Sequence, residues 1–191
     1  MRVLTAAFAA LLAIGGVAGA QDYPTRPVTM VIPFAAGGPT DVLGRVVAAR
    51  MSELLGQQIV IENVGGAGGM TGANRVKTST PDGYQILLGT AGTQAQAQHL
   101  SKKPLYDAAK DFQPVALLAE VPLVLITRKD LPVNTIKEFV EYAKANQDKM
   151  QYGSSGVGAA LHLGAVLLNS TIGVNVTHVP YRGSAPAMQD L

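Results

Sequence analysis

The chain has 191 residues, 48% hydrophobic and 15% charged, a globular balance that excludes a disordered polypeptide and suffices for one sizeable core or two small ones. The formal net charge is only +2, basic residues form no runs and 5% of residues are aromatic, which argues against a nucleic-acid partner. Cysteine is absent, which excludes disulfides, thiol chemistry and Cys-based metal sites.

In chain order, MRVLTAAFAALLAIGGVAGA carries one basic residue, Arg2, then an apolar run, then a small-residue end at Ala18-Gly19-Ala20. That is the pattern of a secretory signal peptide, with cleavage expected after about Ala20, and its apolar run is too short for a membrane anchor. VTMVIPF reads as a buried strand. DVLGRVVAARMSELLG reads as a helix, with Leu43, Val46, Val47, Met51, Leu54 and Leu55 at helical spacing and Gly56 as its C-terminal stop. QIVIEN is a second strand, GGAGGMTGANRVKTS a glycine loop entering a helix, PDG a turn and YQILLGT a third strand. This alternation implies an α/β fold with a parallel sheet.

The signal weakens from Thr90 to Asp111. DFQPVALLAEVPLVLITRKDLP then gives two apolar, strand-like stretches broken at Glu120-Val121-Pro122, the pattern of a chain leaving one sheet to begin another. TIKEFVEYAKAN is a helix with a Thr135–Glu138 capping box and an apolar face of Ile136, Phe139, Val140 and Ala143. MQYGSSGVGAALHLGAVLLNSTIG repeats strand, glycine-serine loop and helix, VNVTHVPY is a further strand, and RGSAPAMQDL begins a helix with Ser184 as N-cap. The expected organisation is a leader over 1–20, a first lobe over 21–120 and a second over 121–191, with the second lobe cut short inside its last helix.

Three glycine-rich loops follow strands and enter helices: PFAAGGPTD, NVGGAGGMTG and YGSSGVGAA. Each delivers the chain to a helix N-terminus, where backbone N–H groups and the dipole favour an anion. Thr40 or Asp41 can cap the first helix, and a tight strand–helix turn with a capping residue explains that loop equally well. Three such loops at the carboxyl ends of strands favour a small anionic ligand held by amides and by hydroxyls such as Thr40, Ser154 and Ser155. Nucleotide binding fails on spacing: the loop from Gly65 lacks Gly-Lys-Ser/Thr, and Thr71 stands where a dinucleotide fingerprint needs its third glycine. A hydrolase using Ser155 and His162 fails as well, because GSSGVG is not Gly-x-Ser-x-Gly. His162 is more economically a hydrogen bond behind its loop, while His99 and His178 stand alone with no paired ligands for a metal.

YPTRPVTMVIPFAAGGPTDVLGR, IENVGGAGGMTGA, PDGYQILLGT, KDFQPVALLAEVPLVL, YGSSGVGAALHL and HVPYRGSAPAMQDL resemble, in order, the motifs of the Bug-type extracytoplasmic solute receptors, the TctC-like binding proteins of tripartite tricarboxylate transporters. The resemblance runs from Tyr23 to Leu191. It implies a periplasmic-binding-protein-like two-lobed α/β fold that closes around a small carboxylate and serves membrane permease subunits, with no enzymatic activity, cofactor or metal. It also implies that the loops Phe34–Asp41 and Tyr152–Val157 grip the carboxylate. The expected ligand-facing residues are Phe34, Ala36, Gly37, Gly38, Thr40, Asp41, Thr90, Thr93, Ser154, Ser155, Gly156 and His162. Two positions depart from the family pattern: Ala159 stands where a serine is frequent, and GTQAQAQHL lacks the asparagine common after the third strand. Family members run further, so apolar faces of VLITR, VNVTHVPY and the last helix are expected to lack neighbours.

Overall fold

A computed structural model describes residues 22–191; the leader expected over 1–20 lies outside them. Two parallel sheets organise the chain. In the first, β1 (Val28–Ile32) lies between β2 (Ile59–Asn63) and β3 (Gln85–Leu87), in the order β2-β1-β3. Its register pairs Met30 with Ile61 and Ile86. The third strand is shorter than YQILLGT suggested, although the Thr29 N–H to Tyr84 O and Leu88 N–H to Val31 O bonds extend the pairing beyond it at either end. The second sheet is the pair β4 (Gln151–Ser154) and β5 (Thr177–Pro180).

Helix α1 (Pro39–Leu55) crosses from β1 to β2. The expected apolar face is partly wrong: Val46 and Leu54 point outward, 66% and 69% exposed, while Asp41, Gly44 and Ala48 are buried, with Val47 and Met51 packed on the core. Gly44 sets this rotation. A Cβ there would stand 2.5 Å from Ile32 Cδ1, so the helix meets the sheet through its smallest residue. The N-cap is Gly38, followed by Pro39, rather than Thr40 or Asp41; neither Thr40 nor Asp41 caps the helix, and Gly56 closes it in the left-handed conformation (φ 68°).

Next come α2 (Met70–Lys77), a π-helical stretch over Gly92–Gln96 running into α3 (Ala97–Leu100), and the short α4 (Ala108–Asp111). Helix α5 (Ile136–Asn146) has the expected capping box, with Thr135 Oγ1 accepting from the Glu138 N–H at 3.2 Å; the Glu138 carboxylate reaches Asn134 N–H at 2.7 Å, one residue before the cap. Helix α6 (Ala160–Ile172) follows β4, and α7 (Ser184–Gln189) follows β5 with Gly183, not Ser184, at the N-cap. Backbone geometry decides this last point, since Gly183 adopts an extended φ of 166° and Ser184 is already helical.

The two strands expected within residues 112–128 do not form. That segment has no regular structure, and among the described residues its backbone has no ladder partner. Two apolar clusters serve the two sheets. Val28, Met30, Ile32, Ala48, Ile59 and Leu88 form the first, and Ala143, Val174 and Val176, with Phe139, Met150, Tyr152 and Ile172 against them, form the second. No helix of the described residues is long and apolar enough to cross a membrane.

Candidate functional site

Parallel strands leave their sheets in one direction, so five strand-to-helix loops gather at the carboxyl ends. The two halves meet there through their backbones. Ala35 N–H donates to Arg182 O at 3.0 Å, joining the loop after β1 to the loop after β5. Gly68, in the left-handed conformation at φ 65°, approaches the loop after β4 so closely that a Cβ would lie 2.3 Å from Val157 O. A Cβ on Gly92 would lie 3.0 Å from the amide nitrogen of Ala160. The glycines that read as ligand cradles therefore also let backbone approach backbone between the halves.

In the first loop Phe34 is buried, Ala36 and Gly37 are exposed, Gly38 is buried and Thr40 is half-buried. The N–H groups of Ala36 and Gly38 have no acceptor among the described residues, and α1 begins beside them with the unbonded amides of a first turn. Asp41 does not add a free anion here. It is 3% exposed; Oδ2 accepts from Gly37 N–H and from Arg45 Nε, each at 2.9 Å, and Oδ1 accepts from Asn63 Nδ2 at 2.9 Å. The Arg45 hydrogen bond, ahead of those from Gly37 and Asn63, holds its carboxyl at about 2 while burial opposes. Asn63 Nδ2 also donates to Phe34 O at 3.2 Å, so this network fixes the loop from behind.

Thr90 and Thr93 bond to each other. Thr93 Oγ1 accepts from Thr90 N–H at 3.0 Å and donates to Thr90 O at 3.1 Å, and Thr93 is fully buried. Its carbonyl accepts from the buried Tyr106 hydroxyl, whose pKa burial pushes up. Of this pair Thr90, half-buried, is nearer the open space.

In the loop after β4, Ser154 is 1% exposed; its Oγ accepts from Gly156 N–H at 3.1 Å and is hydrogen-bonded to His178 Nε2 at 2.7 Å. Ser155 and Gly156 are buried beside it. His162 Nδ1 accepts from Gly158 N–H at 3.2 Å, the bond behind the loop that its position suggested. The structure thus brings the first-loop residues, Thr90, Ser155 and Gly156 to the junction, and commits Asp41, Thr93, Ser154 and His162 to hydrogen bonds within the chain.

His178 is the residue that sequence reasoning missed. It does not stand alone: its ring stacks on His162 with centroids 4.2 Å apart and on Tyr152 at 4.9 Å. Burial pushes its pKa down, and His162 pushes it further. The only available signal was strand register, which places His178 opposite Tyr152. Among the described residues Ser155 makes no hydrogen bond to His162. Ser154, rather than Ser155, meets a histidine, His178, and Ser154 is buried.

A cavity of about 180 Å³ lies away from this junction, at the amino ends of the strands, against Arg26, Thr29, Asp82, Tyr84 and Gln85. Its one cationic group is already engaged: Arg26 pairs with Asp82 at 2.9 Å and lies 3.8 Å over the Tyr84 ring. Among the described residues no group of three or more His, Asp or Glu could hold a metal ion.

Residues 43–191 match the family described as "Tripartite tricarboxylate transporter family receptor" (TctC). A UPF0065 protein of Agrobacterium vitis is 45% identical over 92% of this chain and 51% of its own length. BugT of Bordetella pertussis is 35% identical over 100% of this chain and 60% of its own. Among solved structures, the periplasmic binding protein BugD superposes with a TM-score of 0.85 at 48% identity, over 88% of this chain and 56% of that one. MatC from Rhodopseudomonas palustris, solved with bound malate, gives 0.84 at 43% identity over 88% and 57%. An R. palustris protein solved with adipate gives 0.85 at 42% identity over 88% and 56%. The chain spans about half the length of the curated relatives it matches.

Proposed function

Because the chain belongs to the tripartite tricarboxylate transporter receptor family, with the α/β periplasmic-binding-protein fold of its solved relatives, we propose that it is an exported receptor that captures a small carboxylate at the loop junction. Its lobes are residues 21–120 and 121–191, the leader over 1–20 is removed near Ala20, and its partner is the membrane permease of a tripartite transporter. The observation that carries the reading is the convergence of strand-end loops from both sheets around the N-terminus of α1, where the amides of Ala36 and Gly38 have no acceptor among the described residues. Malate and adipate in two solved relatives indicate the ligand class.

Arg45 is occupied by Asp41, so the Ala36 and Gly38 amides, the Thr40 and Thr90 hydroxyls and Ser155 supply the donors to the ligand. Hydrogen bonds to a charged group contribute roughly 1.5–3 kcal/mol each. Micromolar affinity needs about 8 kcal/mol, so four to six such bonds, less the costs of association and closure, reach it, and neither half does so alone.

A thermal melt of the folded chain with mono-, di- and tricarboxylates tests this. A bound carboxylate at a hundred times its Kd adds about 2.7 kcal/mol and raises Tm by several degrees. A cooperative melt that no carboxylate moves rejects the reading.

A further inference from the structure

The buried Ser154 hydroxyl has one hydrogen to give and two acceptors in reach, His178 Nε2 at 2.7 Å and Gly156 O at 3.3 Å. Its oxygen also accepts from Gly156 N–H at 3.1 Å. A neutral His178 with its hydrogen on Nδ1 takes the Ser154 hydrogen through the shorter bond. A protonated His178 donates from Nε2 instead, which turns the Ser154 hydrogen toward Gly156 O. Both backbone groups of Gly156 therefore feel the state of the imidazole. Gly156 is buried at φ 120°, and a Cβ there would lie 3.0 Å from Gly68 N and 3.2 Å from Tyr181 O. The turn thus touches the loop after β2 and the loop after β5 together.

Few titratable groups surround the ring. Helix α6 supplies His162 and β4 supplies Tyr152, both stacked on it, and burial raises the Tyr152 pKa so that the phenol stays neutral. On α5, which packs against Tyr152, the charges Lys137, Glu138, Glu141 and Lys144 are exposed. Beyond β5, Arg182 is exposed and Asp190 accepts from the Tyr181 hydroxyl at 2.7 Å. Among the described residues no carboxylate bonds to His178, and the one charge that acts on it is that of His162, which opposes a proton. A cationic His178 has no counter-ion here.

We propose that His178 is a positioning residue that couples proton uptake to carboxylate capture, by reorienting Ser154 and setting a positive charge behind the Ser155–Gly156 turn. The proposal rests on the receptor reading above, since the bound carboxylate is the counter-ion that the chain itself does not provide. Affinity then rises as pH falls through the His178 titration, and bound carboxylate raises the midpoint of that titration by the same factor.

NMR of the His178 imidazole and the Gly156 amide, from about pH 8 to about pH 5 in the range where the melt stays cooperative, tests this. Without ligand, the Gly156 amide shift should follow the His178 titration at the same midpoint, and Ser154→Ala should uncouple the two. Saturating succinate or citrate should raise the midpoint by about 0.7, matching a gain in affinity of about five-fold toward acid pH. Calorimetric titration of His178→Gln, whose amide reaches Ser154 without titrating, should show no gain beyond the ligand's own protonation. A Gly156 amide indifferent to the His178 titration overturns the proposal with no ligand present. Parallel pH profiles of affinity in wild type and His178→Gln overturn it as well, while leaving carboxylate capture intact. If neither succinate nor citrate binds at any pH, the receptor reading fails and takes this proposal with it.

Discussion

Asn63 Nδ2 donates to Asp41 Oδ1 at 2.9 Å, joining the last residue of β2 to the first turn of α1. The same amide donates to Phe34 O, so one side chain fixes both ends of the first loop. Asn63→Ala leaves a buried carboxylate oxygen and a carbonyl without this donor, and should lower stability by about 1–3 kcal/mol. Asn63→Asp should cost more, because a second carboxylate would face Asp41. Urea unfolding at neutral pH measures both, and equal stability of Asn63→Ala and wild type would show that the network does not hold the loop.

Asp41 makes a prediction in acid. Its folded pKa of about 2 lies below the ordinary 3.8, so the unfolded chain binds its proton more readily than the folded one. Its stabilisation is fully present above pH 3.8 and is lost as pH falls through about 2. The difference corresponds to about 2 kcal/mol. Asp41→Asn should therefore destabilise the chain at pH 7 and flatten the loss of stability between pH 4 and pH 2. Denaturant midpoints across that range decide it; an unchanged acid limb in the variant would remove Asp41 as its cause.

The sequence pattern was sufficient for β1, β2, the α5 cap and the stop at Gly56, because each is encoded locally by apolar runs, a Thr135–Glu138 spacing or a single glycine. It was insufficient wherever a distant partner decides the outcome. VALLAEVPLVLIT has strand composition, but a strand exists only where another backbone pairs with it, and none of the described residues does. Val46 satisfies helical spacing yet faces outward, because Gly44 chooses which side of α1 meets Ile32. The glycine loops were legible as loops between strands and helices, but the partners of Asp41 and Ser154, namely Asn63 and His178, come from other strands. The family motifs therefore located the junction without revealing which of its polar groups are already used.

His178 predicts a weakness toward mild acid. Burial first, then His162, holds its pKa below the ordinary 6.5, so the folded state resists the proton that the unfolded state accepts. Stability is unaffected above pH 6.5 and falls as pH drops from there through the folded pKa. His162→Ala opens the stack and removes the neighbouring ring, which should move the His178 titration back up toward 6.5. Imidazole proton shifts followed by NMR report this directly. A His178 that already titrates at 6.5 in the unmutated chain would refute the buried-stack account.

Gly68 and Gly56 separate backbone strain from loop contact. Both are left-handed, at φ 65° and 68°, but a Cβ on Gly56 meets nothing within 4 Å, whereas one on Gly68 would sit 2.3 Å from Val157 O. Alanine in that conformation costs about 1–2 kcal/mol at either position. Gly56→Ala should therefore lower Tm with carboxylate affinity unchanged, since it lies at the far end of α1 from the junction. Gly68→Ala carries the same strain and also forces the loop after β2 away from the loop after β4, separating the donors that the proposed function joins. Its carboxylate affinity should fall by more than about ten-fold, or about 1.4 kcal/mol, beyond any loss of stability. Calorimetric titration of both variants, at a temperature where both remain folded, measures the difference. If Gly68→Ala binds as tightly as Gly56→Ala, approach of the two halves at this point is not part of ligand capture, and the site belongs to one half alone.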